Sequence, residues 1–168
     1  MQSLDEITQD LARTLADRQL RVVFAESCTA GLAAATLASV PGISAYLCGS
    51  AVTYRERTKQ DWLRVSAEDL ARFTAVSEPV VRQMAIGVLE NTVEADVSAA
   101  ITGHLGPDAP AEQDGVVYVA VAQRQQQTVH VTSVQRVVLE SSTRGERQRE
   151  ATGVLLNCLN SSIQADFV

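Results

Sequence analysis

The sequence is short of the features that mark several common classes of protein. It holds three cysteines, an odd number with no CxxC pair, which argues against a disulfide scaffold and a zinc site. Its two histidines lie far apart, so a histidine-based metal site is poorly supported. It has no Lys/Arg-rich run and no stretch near the roughly 20 apolar residues of a membrane span. We therefore expect no metal, no cofactor, no nucleic-acid partner and no membrane association.

The bulk composition is that of a globular protein with an aliphatic core. Apolar residues make up 46% of the 168 residues, aromatic residues 4%, and the net charge is -6. This length suits one domain with a real core and is short for two, so we expect a single domain over residues 1–168. The acidic amphipathic start is unlike a signal peptide, and we expect a reducing, cytoplasmic location.

Strand-like and helix-like segments alternate along the chain. Ser3 and Glu6 form a capping-box pattern at the start of the first helix. Two Val-rich runs separated by QRQQQ predict a hairpin. This alternation indicates an α/β layer fold with a mixed sheet. The predicted helices cover 3–18, 29–40, 55–63, 66–72, 77–93 and the residues from 142 onward; the predicted strands cover 20–25, 44–54, 96–102, 116–122 and 128–139.

The stretch FAESCTAG places Ser27 at the junction between a predicted strand and a predicted helix. Functional groups of layered α/β folds cluster at the carboxyl ends of strands, and backbone N–H groups at a helix start can bind an oxyanion. Gly31 lets a ligand or backbone come close. Ser27 is therefore either a nucleophile or simply, like Thr29, a helix N-cap.

A nucleophilic serine needs a base, and the sequence offers few candidates. His130 falls in the middle of a predicted strand, and His104 lies in a loop where it could reach the site or simply be exposed. Nearly all of the 14 basic residues are arginine, but Lys59 follows Tyr54 by five residues at the second strand–helix junction. A lysine whose pKa is lowered by burial can deprotonate serine. The alternatives are a solvated helix lysine at 59 and a core tyrosine at 54.

Five collinear motifs give the chain a family resemblance. FAESCTAG, VTYRERTKQDWLRV, TAVSEPVVRQMA, DVSAAITGHLGP and VVYVAVA follow one another with the expected gaps. Together they resemble the C-terminal domain of the CinA family, also known as the stand-alone nicotinamide-nucleotide amidase. The match covers about residues 5 to 160. It implies a three-layer α/β/α sandwich with a mixed sheet.

The resemblance also implies an activity and a set of site residues. Family members convert nicotinamide mononucleotide and water to nicotinic acid mononucleotide and ammonia. Ser27 matches the nucleophile, and Lys59 and Tyr54 match its activating partners. The resemblance further implies that substrate is bound by Thr29, Gly31, Thr102, Gly103, Gly106 and Arg144.

The chain departs from the family pattern at several places around the implied site. Ala30 replaces a glycine of AESCTGG. The loop TGIAGPGGG becomes TGHLGPDAP, so that Asp108 and Pro110 replace part of a glycine run. A carboxylate there repels a phosphate, and proline lacks an N–H. Near the C-terminus the triplet GDR becomes STR, which keeps Arg144 and loses the aspartate.

Other functions stay open at this point. A catalytically silent or altered-substrate member of the same fold would bind a ligand without this turnover. A redox protein that uses Cys28 has little support, although Cys48 could approach it in space. The Val-rich hairpin over 116–139 carries more apolar surface than a lone small domain covers easily, so we expect a homo-oligomer.

Overall fold

The computed structural model describes residues 2–165, in which five strands alternate with helices. The helices are α1 (Leu4–Arg18), α2 (Leu32–Ala38), α3 (Glu56–Leu63), α4 (Ala67–Phe73), α5 (Glu78–Asn91) and α6 (Arg144–Ala165), with short 3-10 turns at Ile43–Ala45 and Ala111–Gln113. The strands are β1 (Val22–Glu26), β2 (Leu47–Val52), β3 (Val97–Gly103), β4 (Val116–Gln125) and β5 (Thr128–Val138). Every predicted element is present, with shifted boundaries.

The strands form one mixed sheet in the order β2-β1-β3-β4-β5. β1 runs parallel to both of its neighbours, β2 and β3. β4 runs antiparallel to β3, and β5 antiparallel to β4. The carboxyl ends of β1, β2 and β3 therefore meet at one edge of the sheet, where each continues into a polar segment.

Helices cover both faces of this sheet, which confirms the three-layer architecture. Successive strand residues point to opposite faces. Phe24 of β1 joins a core with α1, α2 and α6, while its neighbours Val23 and Ala25 join a core with α3, α4 and α5. Phe24 is fully buried, and its burial stabilises the fold by about 1.5–3 kcal/mol.

A glycine contact fixes the end of α3 against α5. A Cβ atom at Gly87 of α5 would collide with the backbone carbonyl of Leu63, the last residue of α3. The two helices can approach this closely because residue 87 has no side chain. Lys59 belongs to α3, so this contact helps to fix the position of the Lys59 backbone.

Two predicted boundaries differ from the structure for local backbone reasons. The capping box of Ser3 and Glu6 is present as predicted. The helix predicted from Thr29 begins at Leu32 instead, because Ala30 (φ 53°) and Gly31 (φ 96°) adopt left-handed conformations that interrupt a right-handed helix. The strand predicted from Ser44 begins at Leu47, after the 3-10 turn.

Two further observations concern the surface. β5 is an edge strand whose side chains alternate between exposed and partly buried. Self-association through the hairpin of β4 and β5 stays a prediction. Among residues 2–165, no helix combines the length and apolar character that crossing a membrane requires.

Candidate active site

A cavity of about 220 Å³ opens at the carboxyl ends of β1, β2 and β3. Ser27 follows β1, Tyr54 and Lys59 follow β2, and residues 102–109 are the end of β3 and the segment after it. Arg144, the first residue of α6, completes the wall. Four segments that are distant in sequence therefore meet because parallel strands end at one edge.

Ser27 lies in the tight turn that links β1 to α2. Its backbone N–H donates to the carbonyl of Ile101 at 3.1 Å, and its carbonyl accepts from the N–H of Ala30 at 3.1 Å. These bonds tie the residue to β3 on one side and to the turn on the other. Its side chain lines the cavity although the residue is only 8% exposed.

Lys59, the one lysine of the sequence, is buried beside Ser27. Its Nζ lies 2.9 Å from Ser27 Oγ and 2.6 Å from the carbonyl oxygen of Thr53. The residue is 1% exposed. Burial lowers the pKa of the Lys59 amine from its ordinary 10.5 to about 8, because desolvation disfavours the charged form. The structure thus brings the predicted nucleophile and base into direct contact.

The carboxylate of Glu26, the residue directly before Ser27, is fully buried. It accepts five hydrogen bonds, from Thr29 Oγ1 (2.7 Å), Gly31 N (3.0 Å), Ala33 N (3.0 Å), Ala34 N (3.1 Å) and Ser50 Oγ (2.9 Å). From the sequence, the backbone N–H groups of residues 28 to 31 are expected to be free to bind an oxyanion or phosphate. That expectation is wrong for Ala30, whose N–H donates to the Ser27 carbonyl, and for Gly31, whose N–H donates to Glu26 as those of Ala33 and Ala34 do.

Two residues predicted to bind substrate lie behind the cavity wall. The Thr29 hydroxyl donates to Glu26, and the Thr29 carbonyl accepts from the side chain of Gln148 at 3.1 Å. Thr29 is fully buried. Gly31 is the left-handed N-cap of α2, and neither residue lines the cavity. Both support the turn that holds Ser27.

Tyr54 and Arg144 meet at the mouth of the cavity. The Tyr54 hydroxyl accepts a hydrogen bond from the Arg144 guanidinium at 2.7 Å, and the same guanidinium donates to the carbonyl of Gly106. Tyr54 is 52% exposed. The resemblance implies that Tyr54 activates Ser27. In the structure its hydroxyl bonds to Arg144, whereas Lys59 contacts Ser27 directly.

The segment after β3 forms the wall opposite Ser27. The Thr102 hydroxyl donates to the carbonyl of Ala75 at 2.8 Å. A Cβ atom at Gly103 would collide with Val117 and the Val116 carbonyl, so only glycine fits there. Gly106 has a φ of 63°, in the left-handed region that favours glycine.

An ion pair that the sequence analysis missed anchors this wall to α6. Arg147 donates to both carboxylate oxygens of Asp114, at 2.8 and 2.9 Å. The guanidinium holds the pKa of the Asp114 carboxyl below its usual range through these hydrogen bonds. Arg147 also donates to the Leu105 carbonyl. The residue spacing of 33 gives no local sequence signal for this pair.

His104 and Cys28 also line the cavity. The backbone of His104 is paired with Val116 and Gly115, so it continues the sheet into the wall. Burial raises the pKa of the Cys28 thiol to about 12, which keeps it protonated at neutral pH. Cys48 lies on β2 beside the start of β1, whereas Cys28 follows the end of β1. The two cysteines are therefore about 15 Å apart along the strand direction. A disulfide between them is excluded at that distance.

The chain is similar to known proteins of one family. A family model for the CinA C-terminal domain matches residues 4–163. The chain belongs to the CinA family. A CinA-like protein of Prochlorococcus marinus (strain AS9601) is 35% identical over 157 residues, which are 92% of this chain and 36% of that protein. A CinA-like protein of Leptospira borgpetersenii serovar Hardjo-bovis (strain L550) is 36% identical over 128 residues, 75% of this chain and 30% of that protein.

Solved CinA structures share the fold over almost the whole chain. A CinA superfamily protein from Klebsiella pneumoniae superposes with a TM-score of 0.87 at 30% identity, covering 98% of this chain and 99% of that one. A competence/damage inducible protein from Agrobacterium tumefaciens superposes with a TM-score of 0.86 at 30% identity, covering 96% of each chain. The chain spans about a third of the length of the curated CinA-like relatives.

Proposed function

We propose that this CinA-family domain is a serine amidohydrolase that converts nicotinamide mononucleotide and water to nicotinic acid mononucleotide and ammonia. The observation that carries the proposal is the 2.9 Å separation of Ser27 Oγ and Lys59 Nζ inside a cavity. A buried amine with a pKa of about 8 is partly neutral near neutral pH and can accept a proton. The substrate is taken from the family resemblance.

The acylation step uses these two groups. The neutral Lys59 amine takes the proton of the Ser27 hydroxyl as Oγ bonds to the carboxamide carbon. The resulting tetrahedral oxygen carries negative charge. The amide N–H of Cys28 directly follows the nucleophile, which is the position that supplies an oxyanion donor in strand–turn–helix nucleophile turns. One such donor contributes about 3–4 kcal/mol to transition-state stabilisation in known cases.

Loss of ammonia and hydrolysis complete the cycle. The Lys59 ammonium gives its proton to the departing nitrogen as the carbon–nitrogen bond breaks, and ammonia leaves. Lys59, neutral again, takes a proton from water, whose oxygen bonds to the acyl carbon. Breakage of the ester bond then returns the proton to Ser27 and releases the carboxylic acid. At the end of the cycle Lys59 is again a neutral amine and Ser27 is again a hydroxyl.

In this proposal, residues of the cavity wall bind the substrate. Thr102, Gly103 and Gly106 border the space in front of Ser27, and Arg144 lies at the exposed mouth. With the carboxamide at Ser27, the ribosyl phosphate extends toward the mouth, where the guanidinium is the nearest cation on the wall. Arg144 is therefore assigned to the phosphate.

The test is ammonia release from nicotinamide mononucleotide by the purified protein. We expect release by the wild type, and loss of at least 10³-fold in Ser27→Ala and Lys59→Met, since the two groups act as a unit. Ser39→Ala is the matched control, because Ser39 bonds to the carbonyl of Thr36 at the far end of α2. Equal binding without release in wild type and Ser27→Ala would instead favour a silent ligand-binding member of the family.

A further inference from the structure

The two oxygens of the Glu26 carboxylate hold different parts of the site. Oε2 accepts from the Thr29 hydroxyl, from the amide of Gly31, the N-cap of α2, and from the amide of Ala33 in the first turn of α2. Oε1 accepts from the amide of Ala34 and from the hydroxyl of Ser50 on β2. One buried side chain thus joins the nucleophile turn to the neighbouring strand.

The main chain of Glu26 supports the base as well. Its carbonyl accepts the N–H of Thr53 at 2.8 Å, and the Thr53 carbonyl accepts Lys59 Nζ at 2.6 Å. Glu26 is therefore one peptide bond from Ser27 and two hydrogen bonds from Lys59. Among residues 2–165, Glu26 alone hydrogen-bonds both to the turn that carries Ser27 and to Thr53, whose carbonyl accepts from Lys59.

We propose that Glu26 is a positioning residue that fixes the separation of Ser27 Oγ and Lys59 Nζ. The proposal rests on Ser27 being the nucleophile of the proposed function. The Glu26 carboxylate does not hydrogen-bond to the reacting atoms, since neither Ser27 Oγ nor Lys59 Nζ is among its five partners. A carboxylate accepts through both of its oxygens and donates nothing, so it suits a set of converging donors better than a carboxamide, which presents an NH₂ group on one side. A misplacement of about 1 Å at a reacting pair can cost about 100-fold in rate.

The test follows covalent labelling of Ser27 by a small alkyl fluorophosphonate. Ser27 Oγ bonds to phosphorus, fluoride leaves, and Lys59 takes the hydroxyl proton. Glu26→Gln keeps the shape of the side chain and replaces one acceptor oxygen with an NH₂ donor that faces other donors. We expect labelling of Glu26→Gln to be about 10- to 100-fold slower than wild type. The pH midpoint of labelling is expected to stay near that of wild type, because Lys59 keeps its burial.

A matched pair of variants separates positioning from general stability. Thr29→Val removes a hydroxyl donor to Glu26, with a bond of 2.7 Å, and Thr8→Val removes a buried threonine hydroxyl that donates to the carbonyl of Leu4 at 2.6 Å in α1. Thermal unfolding measures the stability that each loses. We expect Thr29→Val to label about threefold more slowly, since it loosens the turn that carries Ser27, and Thr8→Val to label at the wild-type rate. The pair decides the question even where Glu26→Gln does not fold.

Wild-type labelling of folded Glu26→Gln, or equal labelling of Thr29→Val and Thr8→Val, overturns the proposal. Ammonia release from nicotinamide mononucleotide is scored separately on the same proteins. Labelling needs no amide substrate, so an error in the assigned substrate appears only in the ammonia assay. An error about Glu26 appears only in the labelling rates of its variants.

Discussion

The carbonyl oxygen of Thr53 accepts a hydrogen bond from Lys59 Nζ at 2.6 Å. Thr53 is fully buried, and its backbone is held in turn by Glu26. A neutral amine placed this way donates one N–H to the carbonyl and keeps its lone pair for the proton of Ser27. The protein thus orients the Lys59 amine as well as burying it.

We expect the rate of Ser27 acylation to depend on the ionisation of Lys59. Because the pKa of the amine is lowered to about 8, kcat/KM should rise about tenfold per pH unit below that value and level off above it. Ammonia release or fluorophosphonate labelling between pH 6 and 10 measures this. Lys59→Arg serves as the control, since arginine stays charged throughout. A pH-independent wild-type rate would contradict the assignment of Lys59 as base.

The same lowered pKa predicts how stability varies with pH. Between pH 8 and 10.5 the unfolded chain holds the Lys59 proton and the folded chain releases it, so the free energy of unfolding rises with pH across that window. Below pH 8 the cost of burying the charge is present in full. Urea unfolding of wild type and Lys59→Met should differ in this slope, by about 3 kcal/mol at most over the window. Parallel curves for the two proteins would show that Lys59 does not titrate in this range.

Tyr54→Phe is expected to raise KM and leave kcat within about twofold. The tyrosine hydroxyl bonds to Arg144 at the mouth, so its loss loosens a substrate contact and not the contact between Lys59 and Ser27. Steady-state kinetics with nicotinamide mononucleotide measures the two constants. Tyr46→Phe is the control, because its hydroxyl accepts from Gln19 in a contact outside the cavity. A large fall in kcat would instead support the activating role that the family resemblance implies.

Asp108→Asn is expected to improve turnover of a phosphorylated substrate. Asp108 lines the cavity, is exposed and adopts a φ of 68°, a conformation that asparagine shares. Removing its charge relieves repulsion of a phosphate, for an increase in kcat/KM of about three- to tenfold at low salt. Nicotinamide riboside offers the same amide without the phosphate and should show no change. An equal change for both compounds would argue against a charge effect.

Ala30→Gly is expected to stabilise the fold by about 0.5–1 kcal/mol. Ala30 has a φ of 53°, which costs an alanine about 1 kcal/mol and a glycine almost nothing. Chemical denaturation measures the change. Ala35→Gly makes the same replacement at an exposed position inside α2, and there we expect destabilisation of about the same size. Destabilisation of both variants would mean that residue 30 is not strained.

The sequence allowed the central pair of the site to be predicted but not its surroundings. The Val-rich β1 and the small-residue β2 both end in polar segments, and they place Ser27 and Lys59 at one sheet edge because parallel strands end together. The role of Glu26 depends on a turn with two left-handed residues, which aims the amides of α2 back at the carboxylate. The residues before the helix gave no sign of that turn geometry.

Polar pairs between residues far apart in the sequence could not be predicted from sequence patterns either. Arg147 meets Asp114, and Arg144 meets Tyr54 across 90 positions of sequence. Both contacts depend on how α6 lies against the segment after β3. That placement results from core packing between α6, α1 and the sheet, in which side-chain volume matters more than local pattern.

The location of Arg144 on the last helix has a consequence for synthesis. Ser27 and Lys59 leave the ribosome long before residues 102–109 and α6, which form the opposite wall and the mouth. A nascent chain that ends within β3 carries the strand–helix junctions of Ser27 and Lys59 without the rest of the cavity wall. The cavity beside Ser27 is therefore complete only when translation has passed Arg144.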